Sequence, residues 1–345
     1  MPPLEIVLGA GLVVALTIYA LSGGADFGAG VWDLLASGPR AAAQHELIAS
    51  AIGPIWEANN VWLVLVVVVL FTAFPPAFAA ILTALFAPLS IMLVGIVLRG
   101  AAFAFRAHAP RRGPIERWLT RAFAIGSIVT PVMLGVSLGT LASGRLQASS
   151  AGVSGGFDAW LFPFGWAVGA LALAMFAYLA ALYLAVEART PELAGDFRAR
   201  ALAAGLASGV LAALVLLLAF TAQPPIDANP MGKPFGLPLL AVTSLAALGA
   251  LWALWTRRYF MARALGIGQV TLILWGWAAA QYPYLVPPGL TLSNAAAPPA
   301  TLRLLLIALV AGALVLFPSF YYLYRVFKGP AAFTVAEGEP RDRIS

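Results

Sequence analysis

Residues 53–71 read GPIWEANNVWLVLVVVVLF. From Val61 onward the run is apolar. With its flanks it reaches the roughly 20 residues that an α-helix needs to cross hydrocarbon. Its beginning is different, carrying a carboxylate at Glu57, amides at Asn59 and Asn60, and indoles at Trp56 and Trp62. An ionisable side chain facing lipid at mid-depth costs at least about 2.5–3.5 kcal/mol. This end of the helix is therefore expected to meet protein. Trp56, Asn59 and Asn60 share one face at i, i+3 and i+4, and Trp62 lies off that face.

Outward from this stretch the composition stays apolar: of 345 residues, 62% are hydrophobic and 10% charged. Soluble domains carry about 25% charged residues, so the chain reads as an all-α polytopic membrane protein. Cysteine is absent, which excludes disulfides and thiolate ligands. The two histidines, His45 and His108, both read as loop residues, so a haem or zinc centre built from histidines of this chain is not expected. The N-terminal apolar run is too long for a signal peptide and lacks a basic start, so it reads as a first span.

Nine spans are expected, at 4–22, 50–71, 77–98, 121–142, 161–186, 201–221, 236–256, 260–281 and 302–326. TAFPP at 72–76 reads as a tight surface turn, because proline cannot continue the helix. Four spans, four more and a ninth suggest a first four-helix bundle over 1–143 and a second over 144–282. An outer loop, a peripheral helix and a cytoplasmic tail would then fill 283–345. With the N-terminus outside, all of the twenty Lys and Arg except Arg145, Lys233 and Arg303 fall on the inner side. That agrees with the positive-inside rule and places the C-terminus in the cytoplasm. The basic loops carry no nucleic-acid-binding motif. Small-residue pairs Gly24/Gly28, Gly135/Gly139, Gly165/Gly169 and Gly205/Gly209 are candidates for close helix approach.

Two acids are expected inside the membrane. Asp26 lies in SGGADFGAG, at the inner end of the first span. Glu57 lies about 10 Å along the second span from its start near Ser50, at about 1.5 Å per residue. A carboxyl taken out of water exchanges protons nearer neutrality, which suits a relay, and Glu57 is the leading candidate. The alternative reading makes Glu57 a neutral pin between helices bonded to Asn59 or Asn60, and Asp26 the N-cap of a continuing helix. RWLTR, ALWALWTRRYF and FYYLYRVFK read as interfacial anchors. Arg99 and Arg106 are alternatively counter-charges for a partner chain. QYPYLVPPGLTLSNAAAPPATL, at 281–302, reads either as the lining of an apolar ligand cavity or as a rigid outer connection.

Three stretches together carry a family resemblance: GGADFGAGVWDLLA (23–36), AIGPIWEANNVWLVL (51–65) and YPYLVPPGLTLSNAAAPPATL (282–302). The chain resembles subunit II of the cytochrome bd-type quinol oxidases, including their cyanide-insensitive relatives. The resemblance implies a nine-span subunit of a bacterial cytoplasmic (inner) membrane complex that oxidises quinol and reduces dioxygen to water. It implies no redox cofactor in this chain. Haems b and d, or haems b only, belong to the partner, subunit I. It further implies a quinone in a structural role and a small single-span accessory subunit. At the positions of Glu57 and Asp26 it implies a proton pathway from the cytoplasm, with Trp56, Asn59 and Asn60 around it. Asn60 stands where members often carry Gln, Glu or His, and Glu57 where others carry Asp. The alternative is a stand-alone proton-coupled transporter, which intramembrane acids and broken helices would also suit.

Overall fold

A computed structural model describes residues 3–52, 56–106, 114–149, 152–154, 157–222 and 233–328. These form eleven α-helices: α1 (Leu4–Leu34), α2 (Ala41–Ile52), α3 (Trp56–Ala73), α4 (Pro75–Ala84), α5 (Phe86–Arg106), α6 (Pro114–Ala142), α7 (Pro163–Glu187), α8 (Pro191–Ala222), α9 (Gly236–Trp255), α10 (Tyr259–Gln281) and α11 (Pro299–Lys328). Two antiparallel hairpins join them, β1 (Gln147–Ser149) with β2 (Gly152–Ser154) and β3 (Tyr284–Val286) with β4 (Leu290–Thr291). Among the described residues, seven helices are long and apolar enough to cross a membrane: α1, α5, α6, α7, α8, α9 and α11.

The helix boundaries depart from the expected spans where proline and glycine act. α1 takes the longer of the two courses open to the first span, running past residue 22 through its glycines to Leu34. The expected third span is two helices, α4 and α5, separated at Leu85. Pro88 explains the break, because a proline ring collides with the carbonyl four residues back, here that of Ala84. The Phe74 junction between α3 and α4 is not a surface turn, since Phe74 is fully buried. His45 is not in a loop but on α2. His108 lies outside the described residues. Arg99 and Arg106 likewise belong to α5 rather than to a loop.

α6 and α7 sit at the centre, with 67% and 61% of their spanning windows buried, whereas α11 has 6% and lies at the edge. α7 packs against α1, α6, α8 and α10. Close approach at the α6–α7 crossing is reciprocal: a Cβ added at Gly135 would lie 2.7 Å from the Gly169 Cα, and one at Gly139 would lie 3.0 Å from the Gly165 Cα. Three of the four glycine pairs thus mark tight contacts. The fourth does so at only one end, because a Cβ at Gly205 would meet Leu251 and Tyr178 while Gly209 has open space. Gly209→Ala is therefore expected to leave thermal stability within about 0.5 kcal/mol of the parent, as read by a melting curve of the assembled protein.

The 281–302 stretch is folded against the helices. Its β3–β4 hairpin leads into Ala297, whose amide donates to the Ala73 carbonyl at 2.8 Å. Leu292 fills the space beside Gly9 of α1. This loop is thereby tied to the ends of α1 and α3.

Candidate functional site

Gly24, Gly28 and Trp32 repeat every four residues and turn one face of α1 onto α7. The Phe176 ring lies against Gly24 and the Phe176 carbonyl against Gly28. The Trp32 indole donates to the Ala177 carbonyl at 2.7 Å. Two residues along a helix is a rotation of about 200°, so Asp26 points away from this seam, towards α3 and α5. Asp26 is in the middle of a continuous helix and therefore caps nothing.

Asp26 meets Asn59. The Asn59 amide Nδ2 donates to Asp26 Oδ2 at 2.6 Å, and both side chains are buried. The structure thus joins these two candidate residues across α1 and α3. On the neighbouring side lies Arg99, also buried, whose guanidinium donates to the Asp26 backbone carbonyl at 2.8 Å and to Ser127 Oγ at 3.1 Å. Its planar face lies over Phe27 at 4.7 Å and Phe123 at 5.0 Å, a favourable cation–π arrangement. Arg99 therefore serves this chain's own interior. A buried cation beside a buried carboxylate with satisfied donors is how intramembrane charge is tolerated.

Glu57 lies in the first turn of α3 as described from Trp56, and residues 53–55 before it lie outside the described residues. On the isolated chain its side chain is exposed. It heads a stripe of exposed residues on α3, Val61, Val64, Val68 and Phe71. Asn60 is half-buried beside Asn59. The side chain of Trp56 lies outside the described residues.

A second charged cluster sits about two turns further along, at the C-terminal end of α5. Asp33, buried on α1, accepts from Arg106 Nη1 at 2.7 Å and lies 2.6 Å from His45 Nδ1 of α2. Arg106 is thus also satisfied within the chain. A third network ties the α1–α2 turn to α8, with Arg40 and Gln44 both donating to Asp196 and Arg200 donating to Gln44.

Between α1, α3, α7 and α10 lies a cavity of about 450 Å³. Asp26, Asn59, Ser22, Tyr183, Glu187 and Arg263 supply its polar lining. Glu57 is not among its lining residues.

Sequence reasoning missed Asp33, Glu187 and Arg263, and it offered Arg99 as a counter-charge for a partner chain where the structure sets it on the Asp26 turn of its own chain. The signal for Arg99 was present, since AAFAF continues the apolar run beyond it before Arg106. Among the described residues no group of three or more His, Cys, Asp or Glu is arranged to hold a metal ion.

Comparison with known proteins places the whole chain in a family. Residues 4–327 match the family model for cytochrome bd terminal oxidase subunit II. A Bacillus subtilis strain 168 protein described as a cytochrome bd menaquinol oxidase subunit II is 24% identical over 90% of this chain and 91% of its own length. The cytochrome bd ubiquinol oxidase subunit 2 of the same strain is 35% identical over 29% of this chain and 30% of its own length. Escherichia coli K12 cytochrome bd-I ubiquinol oxidase subunit 2 is 28% identical over 60% of this chain and 52% of its length. The aligned segment thus spans about a third to a half of two of these relatives and nearly all of the other. Among solved structures, a chain of the bd oxidase from Geobacillus thermodenitrificans superimposes with a TM-score of 0.77 at 25% identity, covering 94% of this chain and 98% of that one. The chain belongs to the cytochrome bd terminal oxidase subunit II family, as a multi-pass bacterial inner-membrane subunit of a quinol oxidase complex in respiratory electron transport.

Proposed function

We propose that this chain is the haem-free scaffold on which subunit I is mounted, and that it carries part of the proton route from the cytoplasm to the site of dioxygen reduction. The haems, b with d or b only, reside in subunit I and supply the redox chemistry there. The observation that carries the reading is the buried Asn59–Asp26 hydrogen bond, 2.6 Å long, with the Arg99 guanidinium against the same turn of α1.

The chemistry of that arrangement is simple. Asn59 fixes Oδ2 of Asp26, and Arg99 holds the backbone carbonyl of the same residue at 2.8 Å. Asp26 can then accept a proton from water and release it without the side chain reorienting. Glu57, at the head of the exposed α3 stripe, is the transfer point to the partner. An apolar stripe headed by an acid suits a protein neighbour with polar partners better than it suits lipid.

The same reading keeps nine spans with the N-terminus outside. α1, α3–α5 and α6 make up the first bundle, within 1–143. α7 to α10 make up the second, within 144–282, and α11 with the tail occupies 283–345. Packing of α5 on α6 and of α1 on α3 and α6 supports the first bundle, and packing of α7 on α8 and α10 and of α9 on α10 supports the second. The exposed apolar faces of α8, α9 and α11 leave room for lipid, a structural quinone or a small single-span subunit. A stand-alone transporter is not favoured, because the family match runs across residues 4–327.

The test is Asp26→Asn and Glu57→Gln in the intact complex, reconstituted in vesicles. Quinol-driven oxygen consumption and proton uptake are expected to fall about 10- to 100-fold, with the visible haem spectrum unchanged. Parental turnover and charge movement in either variant would remove that residue from the route.

A further inference from the structure

The cavity beside Asp26 extends well beyond it. Its α1 wall runs from Ile18 to Ala29, about 16 Å of helix at 1.5 Å per residue. Its α7 wall is the stripe Ala180, Tyr183, Leu184 and Glu187, the last being the final residue of that helix. Arg263, in the opening turns of α10, faces the same space. Glu187 and Arg263 are both half-buried, and in the orientation proposed above both helix ends are cytoplasmic. Tyr183, one turn further in, donates its hydroxyl to the Leu21 carbonyl at 3.1 Å, so it bridges α7 to α1 along the wall. At about 30 Å³ per water, 450 Å³ holds on the order of ten molecules. Six of its fourteen lining residues carry polar groups that can hold water.

We propose that this cavity is the chain's cytoplasmic proton inlet, with Glu187 collecting the proton and Asp26, beside Asn59, receiving it. The proposal rests on the proton-route reading of Asp26. The Glu187 carboxylate takes a proton from bulk hydronium, leaving water. It returns that proton to a water of the cavity, and the hydronium so formed gives it to the Asp26 carboxylate. No electron moves and no co-reactant is consumed. Of the other groups lining the cavity, Arg263 from α10 and Asp26 from α1 are charged, while α2 and α3 contribute Ala51 and Asn59.

The experiment uses the intact, reconstituted complex and compares Glu187→Gln, Glu187→Asp, Ser22→Leu and Asp26→Asn. Hydronium is scarcest at alkaline pH, so loss of the collecting carboxylate matters most there. Glu187→Gln is expected to lower oxygen-consumption turnover about tenfold near pH 8.5 and less than about twofold near pH 6, the scale on which a charged mouth raises local concentration. Glu187→Asp should restore most of the rate. Ser22→Leu, which fills the cavity and leaves Glu187 in place, should also lower the rate. If Glu187→Gln fails to assemble, Ser22→Leu decides alone. Parental pH profiles for Glu187→Gln and Ser22→Leu, beside a slow Asp26→Asn, overturn the inlet and leave Asp26 on another route. A parental rate in Asp26→Asn overturns the underlying reading as well.

Discussion

Gly28→Ala is expected to prevent or severely weaken assembly of the membrane subunit, although it adds one methyl group. A Cβ at this position would fall onto the Phe176 carbonyl and lie 2.7 Å from the Ala177 amide nitrogen. Both are backbone atoms of α7, so no rotamer change relieves the clash and the helices themselves must part. Overpacking of this kind costs typically about 1–3 kcal/mol, occasionally more. The damage spreads along the seam, because the Trp32 indole donates to the carbonyl of Ala177, the residue after Phe176. Parting α1 from α7 also disturbs Asp26 on the opposite face of the same turn. Gly11→Ala is the control: it lies in the same helix, with nothing within 4 Å of the added methyl. The yield and melting temperature of the haem-bearing complex read the difference. Equal yields and melting temperatures for the two variants would show that the α1–α7 seam is not closely packed in the assembled complex.

That seam was legible in the sequence as Gly24/Gly28, because small residues at a four-residue interval have one main use in a membrane helix. The fold class was legible for a similar reason, since the apolar content left no soluble alternative. Helix junctions were less visible. Pro88 breaks a helix inside the apolar run 77–98, and hydropathy alone does not register the lost hydrogen bond. Within the site, Asp26 and Asn59 were legible as polar residues in apolar surroundings, but their bond was not. It depends on the α1–α3 crossing, and Glu57 was as close in sequence to any such partner. Glu187 and Arg263 were read past because each stands at a helix end, where charge is ordinary. Only the packing of α7 and α10 against α1 turns those two ends towards a shared space.

Arg99→Ala is expected to cost more than any other single side-chain truncation in the site. The guanidinium is buried and satisfied on several sides at once, by the Asp26 carbonyl at 2.8 Å, Ser127 Oγ at 3.1 Å and the faces of Phe27 and Phe123. Removing one member of a buried, paired charge set typically costs about 3–5 kcal/mol, because the remaining group keeps its desolvation without its compensation. Here the remaining group is the Asp26 turn, and the space once filled by Arg99 is left between α1, α5 and α6. Arg99→Lys separates charge from shape. It keeps the cation but replaces a planar fork of donors with a single ammonium, so it should recover part of the stability. Ser127→Ala, which removes one neutral partner, should cost only about 1 kcal/mol. Melting of the haem-bearing complex is expected to follow the order parent, Ser127→Ala, Arg99→Lys, Arg99→Ala. An Arg99→Ala complex that melts with the parent would mean that Asp26 does not depend on this cation, and that the charge beside it is balanced from subunit I instead.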